Sequence, residues 1–270
     1  MKLCEIYKIA NELAPKALSD EYCEKYGAYD NSGVLIDTGD EIRGVVCSLD
    51  FSFGAIQKAI ATGANLIITH HPAIYGKISD IKAGDFEPIG EKLVLALKNG
   101  ISVISMHLNL DVATGGIDES LAQGIYHSTG AGMRSLENEQ VMHPLSIGGY
   151  GRAYDVAETS LSSLKEQMQS VFQTQRLAVY GKDKKIKRVA SFCGGGADEQ
   201  AVAFACAQGA DVIVSSDFKH HVLTLALEKN LAVIALTHYA SENYGFKKYY
   251  EKIRQSIGIA CQYHTDEILL

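Results

Sequence analysis

The chain lacks several features that would settle its class at once. No run of apolar residues approaches the ~18 needed to span a bilayer, and there is no excess of positive charge, the formal net charge being −7. The first lack argues against a membrane protein. The second argues against a nucleic-acid surface built on bulk positive charge, so no nucleic-acid partner is expected. There is no C-x-x-C pair either. The six cysteines, Cys4, Cys23, Cys47, Cys193, Cys206 and Cys261, are scattered. Most sit inside apolar runs, as small buried hydrophobes do, which fits a reducing cytoplasm better than a disulfide framework. Two nucleotide-binding signatures are missing as well. SFCGGGADEQ (Ser191–Gln200) is followed by no Gly-Lys-Ser/Thr and lacks the G-x-G-x-x-G spacing.

What is present is apolar content and order. Of 270 residues, 47% are hydrophobic, enough for one large domain or two ordinary ones. MKLCEIYKIANELAPKALSD at the N-terminus is periodic and carries acids, so it reads as an amphipathic helix and not as a signal peptide. Strand-like runs then alternate with helical ones. RGVVCSL (Arg43–Leu49), LIIT (Leu66–Thr69) and ISVISM (Ile101–Met106) read as strands. GAIQKAIATG (Gly54–Gly63) and GEKLVLALKNG (Gly90–Gly100) read as helices closed by glycine. Fully apolar strands separated by helices predict an α/β fold with a mainly parallel sheet covered on both faces. Further on, strands are expected near Leu145–Ala153 and Leu177–Tyr180, with a helix from Glu158 to Phe172. KDKKIKR (Lys182–Arg188) reads as a solvated hairpin edge, and RVASFC (Arg188–Cys193) restarts the alternation.

That restart reads as a repeat. GANLIITHH and LALKNGISVISMH in the first half correspond to GADVIVSSD and LALEKNLAVIALTH in the second. Two related α/β lobes are the simplest reading.

In open parallel sheets ligands bind beyond the C-terminal ends of the strands. His70, His71, His107 and His238 fall there, as do Asp217, Lys219, His220 and His221 in SSDFKHH. His107 is followed four residues later by Asp111, and His238 by Glu242. His238 and Glu242 share a face if a helix begins in HYASENYGFKKYYEKI. In LIITHHPAIYG, Pro72 keeps His71 extended, and alternation along an extended chain splays His70 from His71. Splayed imidazoles suit two ions better than one. Imidazole plus carboxylate is the ligand set of zinc, iron or manganese in hydrolytic sites, and a carboxylate between two cations can bridge them. A mononuclear site and a metal-free acid–base histidine cluster stay open. The glycines of Gly194–Gly196 allow an anion cradle or a tight packing turn, and Asp118 in LDVATGGIDESLA could cap a helix.

DNSG at Asp30, LDFSFGAI after Leu49, ITHHPAIYG, HLNLDVATGGID, GADVIVSSDFKHH and HYASE together resemble the Nif-three-like family (NGG-one-interacting-factor-three-like), often labelled GTP cyclohydrolase type 2 homologs. LDFS stands where that family more often has Leu-Asp-x-Thr, and SSD where it has Thr-Gly-Asp. The resemblance implies two lobes, the second inserted in the first: residues 1–128 plus 237–270 as a metal-binding lobe, and 129–236 as the second. It implies two divalent ions held by His70, His71, Asp111, His238 and Glu242, with Glu242 as the bridge and His107 close by. It also implies a homo-hexamer with metal sites facing an interior cavity. The expected activity is that of a metal-dependent hydrolase on a nucleotide or other small molecule, with His107, Lys219 or His221 as proton donor or anion partner. A non-catalytic metal-binding or protein-interaction ring is the alternative.

Overall fold

The computed structural model describes residues 1–78, 80–84, 88–130 and 135–269. The chain divides into two compact units. The first is Met1–Ala113 with Phe246–Asp266, and the second is Thr114–Gly245 with Glu267–Leu270. The divisions thus fall at 113/114 and 245/246, where the sequence reading sets them at 128/129 and 236/237.

The first unit opens with α1 (Leu3–Leu13) and α2 (Lys16–Tyr26). Leu3, Ile6 and Ala10 give α1 its buried face. Then come β1 (Gly33–Ile36), β2 (Gly44–Ser48), α3 (Phe53–Thr62), β3 (Leu66–Thr69), α4 (Pro88–Lys98), β4 (Ser102–Ser105) and the short α5 (Leu108–Val112). The strand order is β1-β4-β3-β2, closed by β11 (Ala260–His264) from the far end of the chain. Strands β4, β3, β2 and β11 run parallel, and β1 is antiparallel. β2, β3 and β4 are buried at every position, which is why they lack the alternation of a half-exposed strand. Ile56, Ala59, Leu93 and Ala96 of α3 and α4 pack with Val46, Ile67 and Val103 in one core cluster. Each such aliphatic side chain contributes about 1–3 kcal/mol on burial. Ser52 starts α3 by accepting a hydrogen bond from the Ala55 amide, and Gly63 ends it in the left-handed region at φ +70°.

The second unit holds α6 (Ile117–Ser128), β5 (Glu137–Pro144), β6 (Gly149–Ser160), α7 (Leu161–Val171), β7 (Leu177–Tyr180), β8 (Lys185–Ser191), α8 (Glu199–Ala207), β9 (Val212–Ser215), α9 (His220–Glu228) and β10 (Ala232–Leu236). Its strand order is β5-β6-β8-β9-β10-β7. The centre, β8-β9-β10, is parallel; β5, β6 and β7 are antiparallel. The repeat read from sequence is borne out locally: β3 and β4 are parallel neighbours joined through α4, and β9 and β10 are parallel neighbours joined through α9. α10 (His238–Ser256) carries residues of both units. Among the described residues no helix is long and apolar enough to cross a membrane.

Three local expectations need correction. The basic stretch Lys182–Arg188 is solvated but forms no hairpin, since β7 before it pairs with β10. From Lys185 it runs in β8 beside β6, with Lys185 and Lys187 paired to Glu158 and β9 joining only at Val189. The helix expected from Glu158 begins at Leu161, because Ser160 accepts from the Ser163 amide and caps it. Asp118 is not the N-cap of α6, a place taken by Gly116. Asp118 lies inside α6, fully buried, and accepts from Arg152 and from the amides of Gly151 and Cys193. Burial works against the charge on Arg152, but Asp118, Glu119 and Glu139 outweigh it and raise the pKa.

Candidate metal centre

In the first unit, β3 delivers His70 and His71 at its C-terminal end. Both amides donate to one carbonyl, that of Leu49, at 3.1 and 2.9 Å. This turn ends the extended run, so the predicted splaying does not occur: the two rings lie 4.9 Å apart between centroids. β4 delivers His107, and α5 carries Asp111 one turn further on, its amide bonded to the His107 carbonyl. The His107 ring lies 5.2 Å from that of His70 and 6.0 Å from that of His71. One donor atom each of His70, His107 and Asp111 lies within 4.8 Å of the others, with His70 Nε2 3.5 Å from Asp111 Oδ1.

Each imidazole is held at Nδ1 by a group that can only accept. His70 Nδ1 donates to the Met106 carbonyl at 2.9 Å, His71 Nδ1 to Asp50 at 2.7 Å and His107 Nδ1 to Asp30 at 2.8 Å. A neutral imidazole carries one N–H, so this placement leaves the lone pair on Nε2. Histidine oriented through its other nitrogen by a carboxylate or carbonyl is the usual support for a metal ligand. Asp30 is itself fixed by the hydroxyls of Ser19 and Ser32, each at 2.6 Å. Burial alone would raise its pKa, but the hydrogen bonds from His107, Ser19 and Ser32 hold it well below the usual carboxylate range. Burial opposes the charged form of His107, yet Asp30 and Asp111 raise its pKa overall.

In the second unit, His238 and Glu242 occupy the first turn and a half of α10, and Nε2 lies 3.0 Å from Glu242 Oε1. Nδ1 of His238 bonds to Asp217, which sits at φ +52° just after β9. The imidazole thus has a carboxylate at each nitrogen but, when neutral, only one proton to offer. A cation at Nε2 resolves that mismatch, so the donor chemistry fits a divalent ion. In the glycine loop, Gly194 makes a tight packing contact. Gly194 has φ +53°, and a Cβ there would collide with the Glu242 carboxylate. Its carbonyl accepts from the hydroxyls of Ser215 and Ser216, and its amide donates to Ser241 Oγ at 3.2 Å. Lys219 immediately precedes α9 and His221 lies in its first turn; His221 Nε2 is paired with Glu199 at 2.9 Å, both side chains well exposed.

The sequence reading names the imidazoles and the carboxylates Asp111 and Glu242 but misses the roles of Asp30, Asp50 and Asp217. All three lie in the motifs DNSG, LDFS and SSD, so the signal was present. Only the fold shows that each is aimed at an imidazole.

Strand ends that gather histidine and carboxylate, with His70, His71, His107 and His238 each secured at Nδ1, define an α/β protein with a candidate divalent-metal centre. The sequence model of the Duf34/NIF3 family (NGG1p interacting factor 3) matches residues 1–266, and the chain belongs to that family. A protein of Methanocaldococcus jannaschii named "GTP cyclohydrolase 1 type 2 homolog" is 29% identical over 96% of this chain and 97% of its own length. One of the same name from Lactococcus lactis is 32% identical over 82% of each. Among solved structures, reduced HcgD from Methanocaldococcus jannaschii superposes with a TM-score of 0.78 at 27% identity, covering 97% of both chains. A Bacillus cereus protein related to NIF3 shares the fold with a TM-score of 0.79, covering 97% of this chain and 96% of its own at 19% identity.

Proposed function

We propose that this Duf34/NIF3 protein is a divalent-metal-dependent hydrolase of a nucleotide-like small molecule. The observation that carries the reading is the His70–His107–Asp111 group, its two imidazoles held at Nδ1 so that a neutral ring has its lone pair on Nε2, within 4.8 Å of the other donor atoms. His70, His71 and Asp111 would hold metal in the first unit. The family resemblance adds His238 and Glu242, and with them a second ion and a bridging role for Glu242. Zinc, iron and manganese all suit this donor set. A divalent ion so held lowers the pKa of water and polarises an electrophile. The protein's own residues keep the ligands oriented: Asp50 holds His71, Asp30 holds His107 and Asp217 holds His238. His107, beside Asp111, would act either as an auxiliary ligand through Nε2 or as the proton donor, and the two roles exclude each other. The relatives' name points to the imidazole carbon of a guanine nucleotide as the atom attacked, and a phosphoester is the other hydrolytic option. A cytoplasmic homo-hexamer with inward-facing sites belongs to the same proposal.

Metal handling without turnover is the second reading. It draws on His221, a candidate proton donor that is engaged with Glu199 at the surface. Elemental analysis of the purified chain, followed by a turnover screen on GTP and simple phosphoesters with and without chelator, separates the two. Metal-bound protein that turns over nothing favours the second.

A further inference from the structure

The two segments that set His107 and His71 in place each carry a large exposed aromatic ring. Tyr29 immediately precedes Asp30, the residue that holds His107. Tyr75 follows His71 by four residues. Their side chains are largely open to solvent, Tyr29 at 55% and Tyr75 at 62%. Yet the two rings meet edge to face at 5.6 Å, and Tyr75 meets the His107 imidazole edge to face at 6.2 Å. Isolated surface tyrosines need no explanation, but two of them grouped at a polar centre do.

The backbone beneath Tyr75 is fixed on its near side. The Ala73 amide donates to Ser105 Oγ at 3.2 Å, and Asn31 Nδ2 donates to the Ile74 carbonyl at 2.6 Å. The ring is therefore presented by an anchored chain while most of its own surface stays uncovered. Tyr75 also lines a groove of about 190 Å³ with Ile74, Lys77, Ile78 and Leu93. That volume falls below the ~300–1,000 Å³ typical of drug-sized sites. It suits a single ring system with a charged substituent better than an extended cofactor.

We propose that Tyr29 and Tyr75 form a stacking site for a planar nitrogen heterocycle, of purine type, at the mouth of the metal centre. The proposal rests on the hydrolase reading above and assigns the part of the substrate that these rings hold. The two rings stand at 87° to each other, so the heterocycle stacks face to face on one and meets the other edge-on, beside His107. Lys77 lines the groove as a cation for an anionic substituent, while Lys82 there is paired with Asp80. Stacking a base on an aromatic side chain is sequence-tolerant and strengthens binding roughly five- to hundredfold per ring.

The test is equilibrium binding to the full-length, metal-loaded chain, with guanosine 5′-monophosphate and ribose 5-phosphate as probes. The chain contains 14 tyrosines and no tryptophan, so the part of the tyrosine quenching that is lost in the leucine variants reports contact with these rings, and equilibrium dialysis reports affinity. The nucleotide should bind at least tenfold more tightly than the sugar phosphate. Tyr75→Leu and Tyr29→Leu should each erase most of that margin, and Tyr75→Phe should keep it, since stacking needs the ring and not the hydroxyl. Equal affinity for the two probes overturns the proposal, as does unchanged nucleotide affinity in both leucine variants. Light scattering adds a further arm: if the leucine variants lose affinity only because the native assembly falls apart, the rings are an interface and the proposal is wrong. Because binding is read without turnover, failure of the hydrolase reading shows up separately, as metal-loaded chain that binds the nucleotide but turns over neither GTP nor a phosphoester.

Discussion

Replacing Asp30 by Asn tests whether the groups behind the imidazoles matter as much as the imidazoles. The Asp30 side chain is 1% exposed and accepts from His107 Nδ1 and from the hydroxyls of Ser19 and Ser32. An amide keeps the shape but not the charge. Hydrogen bonds to a charged group contribute about 1.5–3 kcal/mol and neutral ones about 0.5–1.5 kcal/mol. Three such bonds weakened together should cost the metal-free chain about 2–4 kcal/mol. If His107 serves as the auxiliary ligand, loss of its oriented partner should also cost roughly 10- to 100-fold in metal affinity, measured by competition with a chelator of known strength. The pH dependence has a fixed sign. The folded pKa of Asp30 lies below its unfolded value. Its stabilisation is therefore present above pH ~4 and is lost as pH falls through the lower folded value. The folded pKa of His107 lies above its unfolded value. Its stabilisation is complete below pH ~6.5 and is lost as pH rises through the folded value. Both operate between about pH 4 and 6.5. Urea denaturation of the metal-free proteins should show the widest gap between wild type and Asp30→Asn there, narrowing toward pH 9. Metal affinity within twofold of wild type would remove His107 from the ligands, and a gap that widens with pH would refute the reasoning.

Four further outcomes are expected. Elemental analysis should find about two metals per wild-type chain if a two-metal site forms, less in Asp111→Ala and least in Glu242→Ala; wild-type content in Glu242→Ala would remove Glu242 from the ligand set. Gly194→Ala should lose metal affinity and about 1–2 kcal/mol or more of stability, because it places a Cβ against Glu242 at φ +53°; an unaffected variant would mean the loop yields freely. Arg152→Met leaves Asp118 buried without its ion partner, so urea unfolding should show a loss of about 3–5 kcal/mol with the double variant Asp118→Asn/Arg152→Met recovering part of it. Acidification below pH ~6.5 should release metal, since imidazole must be neutral to coordinate, while far-UV circular dichroism is retained; simultaneous loss would mark the metal as structural.

Much of this was legible in the sequence because burial leaves a strong mark. LIIT and VIVS are buried at every position, and an all-apolar run bounded by glycine and polar residues has few other uses. Histidines placed after such runs could be assigned to the ligand-binding end of the sheet without coordinates. The failures have local causes. β5 escaped notice because its first half is polar and exposed, as befits an edge strand. The splayed arrangement of His70 and His71 failed because both amides turn onto the Leu49 carbonyl, a contact that no periodicity rule contains. Asp30 reaches His107 across 77 residues of chain, and Asp50 and Asp217 each reach their histidines across 21. Pairing at those separations is decided by strand order, not by composition.

The order in which the chain leaves the ribosome gives the strand arrangement of the first unit a biological cost. β2 is made long before its parallel partner β11, which begins at Ala260, more than two hundred residues further along the chain. At about 5–20 residues per second, the open side of β2 waits roughly 10–40 s for that partner. During this interval Gly44–Ser48 is an apolar strand with a row of unpaired amides and carbonyls, the kind of surface on which nascent chains aggregate. The second unit, nearly all of it contiguous in sequence, can complete its sheet first. Conditions that slow translation between Ser48 and Ala260 should therefore reduce the soluble yield of this protein more than equal delays before Gly44.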